Sequence, residues 1–235
     1  MKYRLRRVVG LLLVTVAVAV FFLSSNFNQR DDTTVQPVPE NSPQQAAANE
    51  ARNVLESLPV KGRAPKTGYT RSQFGTGWKR VGVCDMRNII LARDLIEAKV
   101  SDDCKVLSGK LNDPYTGAVV EFTRGADTSD DVQIDHVVAL SNAWQTGAQQ
   151  LTLERRNELA NDPLELLAVD GTANQQKSDG DAATWLPANK AFRCQYIARQ
   201  IAVKTKYSLW VTPPEKQAMQ DVLSKCPNQT LPNEH

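Results

Sequence analysis

One imidazole stands inside this chain. Of the two histidines, His235 is the last residue, so His136 in VQIDHVVAL is the single internal group that ordinarily titrates near neutrality. Such a group is the side chain best suited to take a proton from water. The plain alternative is a half-buried strand histidine beside the carboxylate of Asp135. Downstream, NDPLELLAVDGTANQQKSDGDAATWLP carries Asn174 and Lys177, three residues apart and so on one face of any helix formed there. Asn174 offers a neutral carbonyl oxygen and Asp135 a carboxylate, both hard donors of the kind Mg²⁺ accepts. A further stretch, Lys61 to Val83, holds Lys61, Arg63, Lys66, Arg71, Lys79 and Arg80 without one acid, interleaved with Tyr69, Phe74 and Trp78. That composition suits a groove that tracks a nucleic-acid backbone and stacks bases, or a loop-rich stretch whose aromatics anchor it to the core. Arg80 and Arg87 are the expected phosphate contacts. Arg87 and Arg93 also have a structural reading, in which they pair with Asp94 and its neighbours.

These groups need elements to hold them. Val132 to Leu140 and Gly117 to Thr123 are rich in β-branched residues, and the polar GADTSDD between them predicts a hairpin-like connection. Leu164 to Val169 is a short apolar run between Pro163 and Asp170-Gly171, as a short buried strand would be. A helix carrying Asn174 and Lys177 follows it. Helices are also predicted over Ala51 to Pro59, Asn88 to Ala98 (core stripe Ile89, Leu91, Leu95, Ile96), Leu151 to Ala160, Lys190 to Thr205 and Pro214 to Lys225. Trp144 and the Trp185-Leu186-Pro187 turn read as packing. The class is α+β, with few strands and several helices. In a regular strand Asp135 and His136 point to opposite faces, so both reach one site only if the strand ends or bulges there.

The order of these parts, a strand with Asp-His, a second strand and a helix with Asn, is the ββα-metal plan. IDHVV followed by NQQKSD is similar to the Asp-His and Asn-x-x-Lys-x-Asp elements of HNH nucleases, a pattern shared by the HNH domain of the RNA-guided CRISPR nuclease. With CDMRNIILARDL, DPYTG, IDHVVALSNAW, NDPLELLAVDG and CQYIARQIAVK, the chain resembles exported bacterial HNH-type proteins related to the C-terminal part of GmrSD restriction endonucleases, over about Gly68 to Cys226. The resemblance implies a ββα-metal core with flanking helices. In it His136 activates a water, while Asp135 and Asn174 hold one divalent cation, Mg²⁺ first and Mn²⁺ second. Lys177 either steadies the phosphate or positions the helix, and Asp179 would be its partner. The middle motif position, usually Asn, falls on Glu165, or on Asn161 if the alignment slides.

Composition bounds the rest. The 235 residues suffice for one domain and a tail. MKYRLRR and the apolar run Val8 to Leu23 predict a signal peptide or an uncleaved membrane anchor over 1–25, oriented with its basic end in the cytoplasm. A polar linker over 26–50 and the nuclease domain over 51–235 complete the expected organisation. The first 52 residues hold six basic and four acidic side chains. Taking these from the 28 basic and 26 acidic of the whole chain leaves 22 of each, so global charge does not argue for a polyanionic partner. Cys84, Cys104, Cys194 and Cys226 include no C-x-x-C pair, which disfavours structural zinc. In an exported chain they read as two disulfides, preferably Cys84–Cys104 and Cys194–Cys226, although three pairings are open. The expected activity is metal-dependent phosphodiester hydrolysis, of DNA before RNA and nonspecific, outside the cell or in its envelope. No protein partner is evident. The alternative is an inactive nuclease-fold binding module.

Overall fold

In the computed structural model the described residues are 50–232. The signal or anchor expected over 1–25, the linker up to residue 49 and His235 lie outside the described residues. Among the described residues no helix is long and apolar enough to cross a membrane.

The chain folds as a mixed α/β structure with small sheets. Helix α1 (Glu50–Ser57) buries Ala51 and Leu55. A loop and a 3-10 turn (Arg71–Phe74) lead to the short hairpin β1 (Arg80–Val81) and β2 (Cys84–Asp85). Helix α2 (Met86–Asp94) starts where the Asp85 side chain accepts from the Asn88 backbone N–H. Strands β3 (Ile96–Val100), β4 (Val106–Asn112) and β5 (Val119–Thr123) form an antiparallel sheet in that order. Strand β6 (Val132–His136) pairs antiparallel with β7 (Leu166–Asp170), from Val132 opposite Asp170 to His136 opposite Leu166. Between them lie α3 (Leu140–Gln145) and α4 (Leu153–Ala160), and directly after β7 comes α5 (Gly171–Lys177). Helices α6 (Arg193–Lys206) and α7 (Pro213–Leu223) close the chain, the latter with a capping box between Thr212 and Glu215 and proline in its first turn.

The two-stranded sheet sits between two cores. Leu167 and Val169 face a large core shared with Trp144, Tyr196 and Ile201, while Ile134, Leu166 and Ala168 face a smaller one with Met86, Ile90 and Phe122. Burial of both faces explains why the β7 sequence is a continuous apolar run rather than an alternating one. The Asp113-Pro114-Tyr115-Thr116-Gly117 turn is fixed against this sheet. Asp113 accepts from Thr116 N–H with one oxygen and from Asp170 N–H with the other, and Gly117 takes the positive φ of 79°.

Two expectations about elements need correction. The helix predicted to Ala98 ends at Asp94, because Leu95 is already extended and Ile96 opens a strand on β4. Strand β4 buries only Val106 and Leu111, and the polar and glycine residues between them break the apolar alternation. Strands β5 and β6 belong to different sheets, so GADTSDD is a crossing and not a hairpin turn. Cys84 is joined to Cys104 and Cys194 to Cys226, the preferred pairing.

Candidate functional site

A cleft of about 490 Å³ opens where β6 ends and α5 passes it. Asp135, His136, Asn174, Arg71, Arg87 and Trp78 are among its lining residues. Strand β6 runs to His136 in unbroken register with β7, so its end, and not a bulge, brings the Asp-His pair to one lip. The two side chains leave on opposite sides, as strand geometry requires.

On one side, Asp135 is nearly enclosed and both of its oxygens accept hydrogen bonds. Oδ1 accepts from Lys177 Nζ at 2.9 Å and Oδ2 from the Tyr115 hydroxyl. Burial raises the Asp135 carboxyl above its ordinary range, with the Lys177 ammonium and the Tyr115 hydroxyl opposing that rise. Lys177 is itself buried and also donates to the His136 carbonyl at 2.8 Å. Its ammonium is therefore spent on the Asp135 carboxylate and the His136 carbonyl, and the residue is not part of the cleft lining. Asp179, expected beside Lys177, pairs instead with Lys66 at 3.0 Å. Tyr115 was not singled out from the sequence as a site residue; the tight DPYTG turn that delivers it was its only signal.

On the other side, the His136 Nε2 lies 3.0 Å from the Ala160 carbonyl. A carbonyl only accepts, so Nε2 carries the proton and Nδ1 is left as the acceptor nitrogen. The indole of Trp78 lies parallel to the imidazole, at 6° and 5.8 Å between ring centres. Burial first, then the charges of Arg71 and Lys177, push the His136 pKa down to about 3 against the Ala160 hydrogen bond. The ring is neutral at physiological pH, and the same downward shift weakens it as a base, since a general base works best with a pKa near the operating pH.

Both candidates for the middle motif position are structural braces. Glu165 is fully buried, and its Oε2 accepts from Val138 N–H at 3.1 Å while its own carbonyl accepts from Val137 N–H. Its Oε1 has no hydrogen-bond partner among the described residues, and burial holds the carboxyl well above its ordinary pKa. Asn161 accepts from Lys79 N–H at 2.7 Å and so fixes the segment that presents Trp78. The turn at the end of α4 thereby orients the histidine through Ala160 and the tryptophan through Asn161.

The remaining expected contacts divide. Asn174 lines the cleft and its amide nitrogen donates to Gln133 Oε1 at 2.9 Å, which leaves its own oxygen for another partner. Arg87 lines the cleft but donates to the carbonyls of Ser129 and Val132. Arg80 is exposed, bonds the Val83 carbonyl and does not line the cleft. Arg93 binds Asp94 and two carbonyls, the structural reading. Of the interleaved aromatics, Tyr69 and Phe74 pack with Trp144 as core anchors, and Tyr69 and Trp78 line the cleft.

Among the described residues no three His, Cys, Asp or Glu side chains gather into a metal-binding group. Asp135 and Asn174 both line the cleft and offer a carboxylate and an amide oxygen, and Asp179 lines it as well. Each carboxylate oxygen has two lone pairs, so Asp135 can keep Lys177 and Tyr115 and still offer one. That set fits a small hard cation that retains most of its water.

The family model for the C-terminal domain of GmrSD restriction endonucleases matches residues 85–222. A protein of Arthroderma benhamiae described as an uncharacterized secreted protein is 37% identical over 192 residues, which cover 81% of this chain and 90% of that protein. No solved structure matches the chain.

Proposed function

This chain belongs to the family of the C-terminal domain of GmrSD restriction endonucleases, a nuclease-related family, and from that premise we propose that it is an exported HNH-type endonuclease that hydrolyses phosphodiester bonds with His136 as general base. The observation that carries this reading is the placement of His136: its Nε2 is fixed on the Ala160 carbonyl, and its ring lines a cleft that also holds Asp135, Asn174 and basic side chains. The antiparallel pair β6 and β7 followed by α5 supports a ββα-metal core.

In this account His136 Nδ1 takes the proton of a water whose oxygen attacks phosphorus, and the P–O bond to the leaving oxygen breaks. Asp135 and Asn174 would hold one divalent cation, Mg²⁺ or Mn²⁺, which supplies charge stabilisation at the phosphate and the leaving oxygen. Lys177 positions the Asp135 carboxylate and the His136 carbonyl and does not touch substrate. Tyr115 does the same from the opposite side of Asp135. DNA is the favoured polymer, with RNA the alternative. Two disulfides and the secreted relative fit an extracellular or envelope location.

A second reading, an inactive binding module on the nuclease fold, is favoured by one observation. Both Asp135 oxygens already accept protein hydrogen bonds. Incubating the oxidised protein with plasmid DNA and with RNA, in Mg²⁺, in Mn²⁺ or in EDTA, separates the two. Cleavage that EDTA abolishes supports the nuclease. A folded protein that binds Mn²⁺ yet cuts neither polymer supports the binding module.

A further inference from the structure

Behind the main cleft lies a second recess, of about 110 Å³. Arg71, Phe74, Trp78, Leu140 and Ala160 line it together with His136. It shares Arg71, Trp78, Leu140 and His136 with the cleft, so the two hollows meet at the general base. Its wall mixes polar and apolar groups, with Phe74, Trp78 and Leu140 beside His136, and Arg71 is its cation.

The cations of this region are not equivalent. Lys66 is held by Asp179, Arg87 by two carbonyls and Lys177 by Asp135. Arg71 has no hydrogen bond or ion pair among the described residues, yet its charge acts on His136. Its backbone is nevertheless fixed. Arg156 of α4 donates to the Gln73 carbonyl at 2.7 Å, and Phe74 is buried. Gly75 is pressed so closely on Asn157 that an added Cβ would lie 1.8 Å from its amide nitrogen. Gly77, by contrast, adopts a φ of 74° with open space around it. Trp78 is set in place by Asn161 through Lys79. A guanidinium without a hydrogen-bond or ion-pair partner among the described residues and a partly exposed indole thus stand at the rim of a hollow of about 110 Å³, too small for a base pair.

We propose that this recess is a nucleotide subsite flanking the scissile phosphate, in which an unstacked base lies against Trp78 and the adjoining phosphate meets Arg71. The assignment rests on the nuclease reading of the cleft and adds the substrate class, nucleic acid with unpaired bases. An aromatic platform binds any base by its π-face, whereas a base in an intact duplex must first be unstacked and unpaired. The enzyme therefore cuts single strands, or frayed and gapped positions, in preference to continuous duplex.

The test uses the full oxidised chain with Mg²⁺ and end-labelled oligonucleotides, as a single strand, as its duplex, and as a single strand with an abasic residue walked through it. The expected result is about tenfold higher kcat/KM on the single strand, and about a tenfold loss when the abasic residue adjoins the cut, the order of one base–aromatic stack. Trp78→Ala should erase the abasic effect. Arg71→Ala should raise KM and reduce the salt slope of binding by about one. Equal cutting of strand and duplex, or indifference to the abasic residue, overturns the subsite while leaving the nuclease standing. If no polymer is cut, the nuclease reading fails, and anisotropy in EDTA decides the subsite alone. Tighter binding of the base-bearing strand than of an abasic one, lost in Trp78→Ala, supports it; equal affinity refutes it.

Discussion

At the scale of single residues, Glu165 has a definite consequence for stability. Its carboxyl is fully buried, with one oxygen on Val138 N–H and the other without a partner among the described residues. Burial holds its pKa well above the ordinary 4.5, so the folded protein keeps the proton that the unfolded chain releases. For a carboxyl shifted upward, the stability it allows is present below the unfolded pKa and lost as pH rises towards the folded one. Glu165→Gln removes that loss. Its melting temperature relative to the parent should therefore be higher at about pH 7.5 than at about pH 4, read by calorimetry at both. An unchanged difference would show that Glu165 ionises inside the fold. Much of the site was legible at this scale, because His136, Asp135 and Asn174 are marked by residue type and spacing and line one cleft. Lys177 was legible as a cation but its target was not. Whether an ammonium meets a phosphate or a buried carboxylate depends on tertiary burial, which spacing does not encode. Arg71 was one of six basic residues in its stretch, and only the engagement of its neighbours sets it apart.

At the scale of elements, the turn after α4 positions two groups at once, and Asn161 is the residue to probe. Its side chain accepts from Lys79 N–H and donates to the Asn157 carbonyl. Asn161→Ala should cost about 1 to 3 kcal/mol, the range for a buried hydrogen-bonding group left alone. It should also lower kcat while leaving Mn²⁺ affinity unchanged, because Trp78 loses its tether and the cation site does not. Denaturant midpoints, turnover and a metal titration on one preparation test this. Lost stability with full turnover would show that the placement of Trp78 does not matter. Elements with strong local signals were readable, such as the apolar run of β7 between Pro163 and Asp170-Gly171. The strand β3 was not, since Ile96 continues the helical stripe of α2 and leaves it only to pair with β4. Sheet membership was also beyond local reading. A polar connection of seven residues is compatible with a hairpin or a crossing, and the choice lies in which strand each partner finds.

At the scale of the molecule, the two disulfides close loops with sequence separations of 20 and 32, and Cys194–Cys226 packs against the larger core. Cys84–Cys104 links the hairpin before α2 to the β3–β4 connection, and Cys194–Cys226 links α6 to the segment after α7. Each should contribute about 3 kcal/mol by limiting the unfolded chain. Thermal unfolding with and without reductant should show a large drop in melting temperature. Unchanged stability would make the bridges dispensable. Their pairing followed from closeness in sequence once export was argued, so the cysteines were among the most legible features of the whole chain.

The central claim is that His136 is the base. Its direct test is His136→Ala beside the parent protein, with plasmid DNA and RNA in Mg²⁺, and with melting temperature and Mn²⁺ binding measured on the same samples. The account predicts a rate at least about 100-fold lower, the scale of a lost general base, from a protein that remains folded and still binds metal. A variant that cuts as fast as its parent would contradict it.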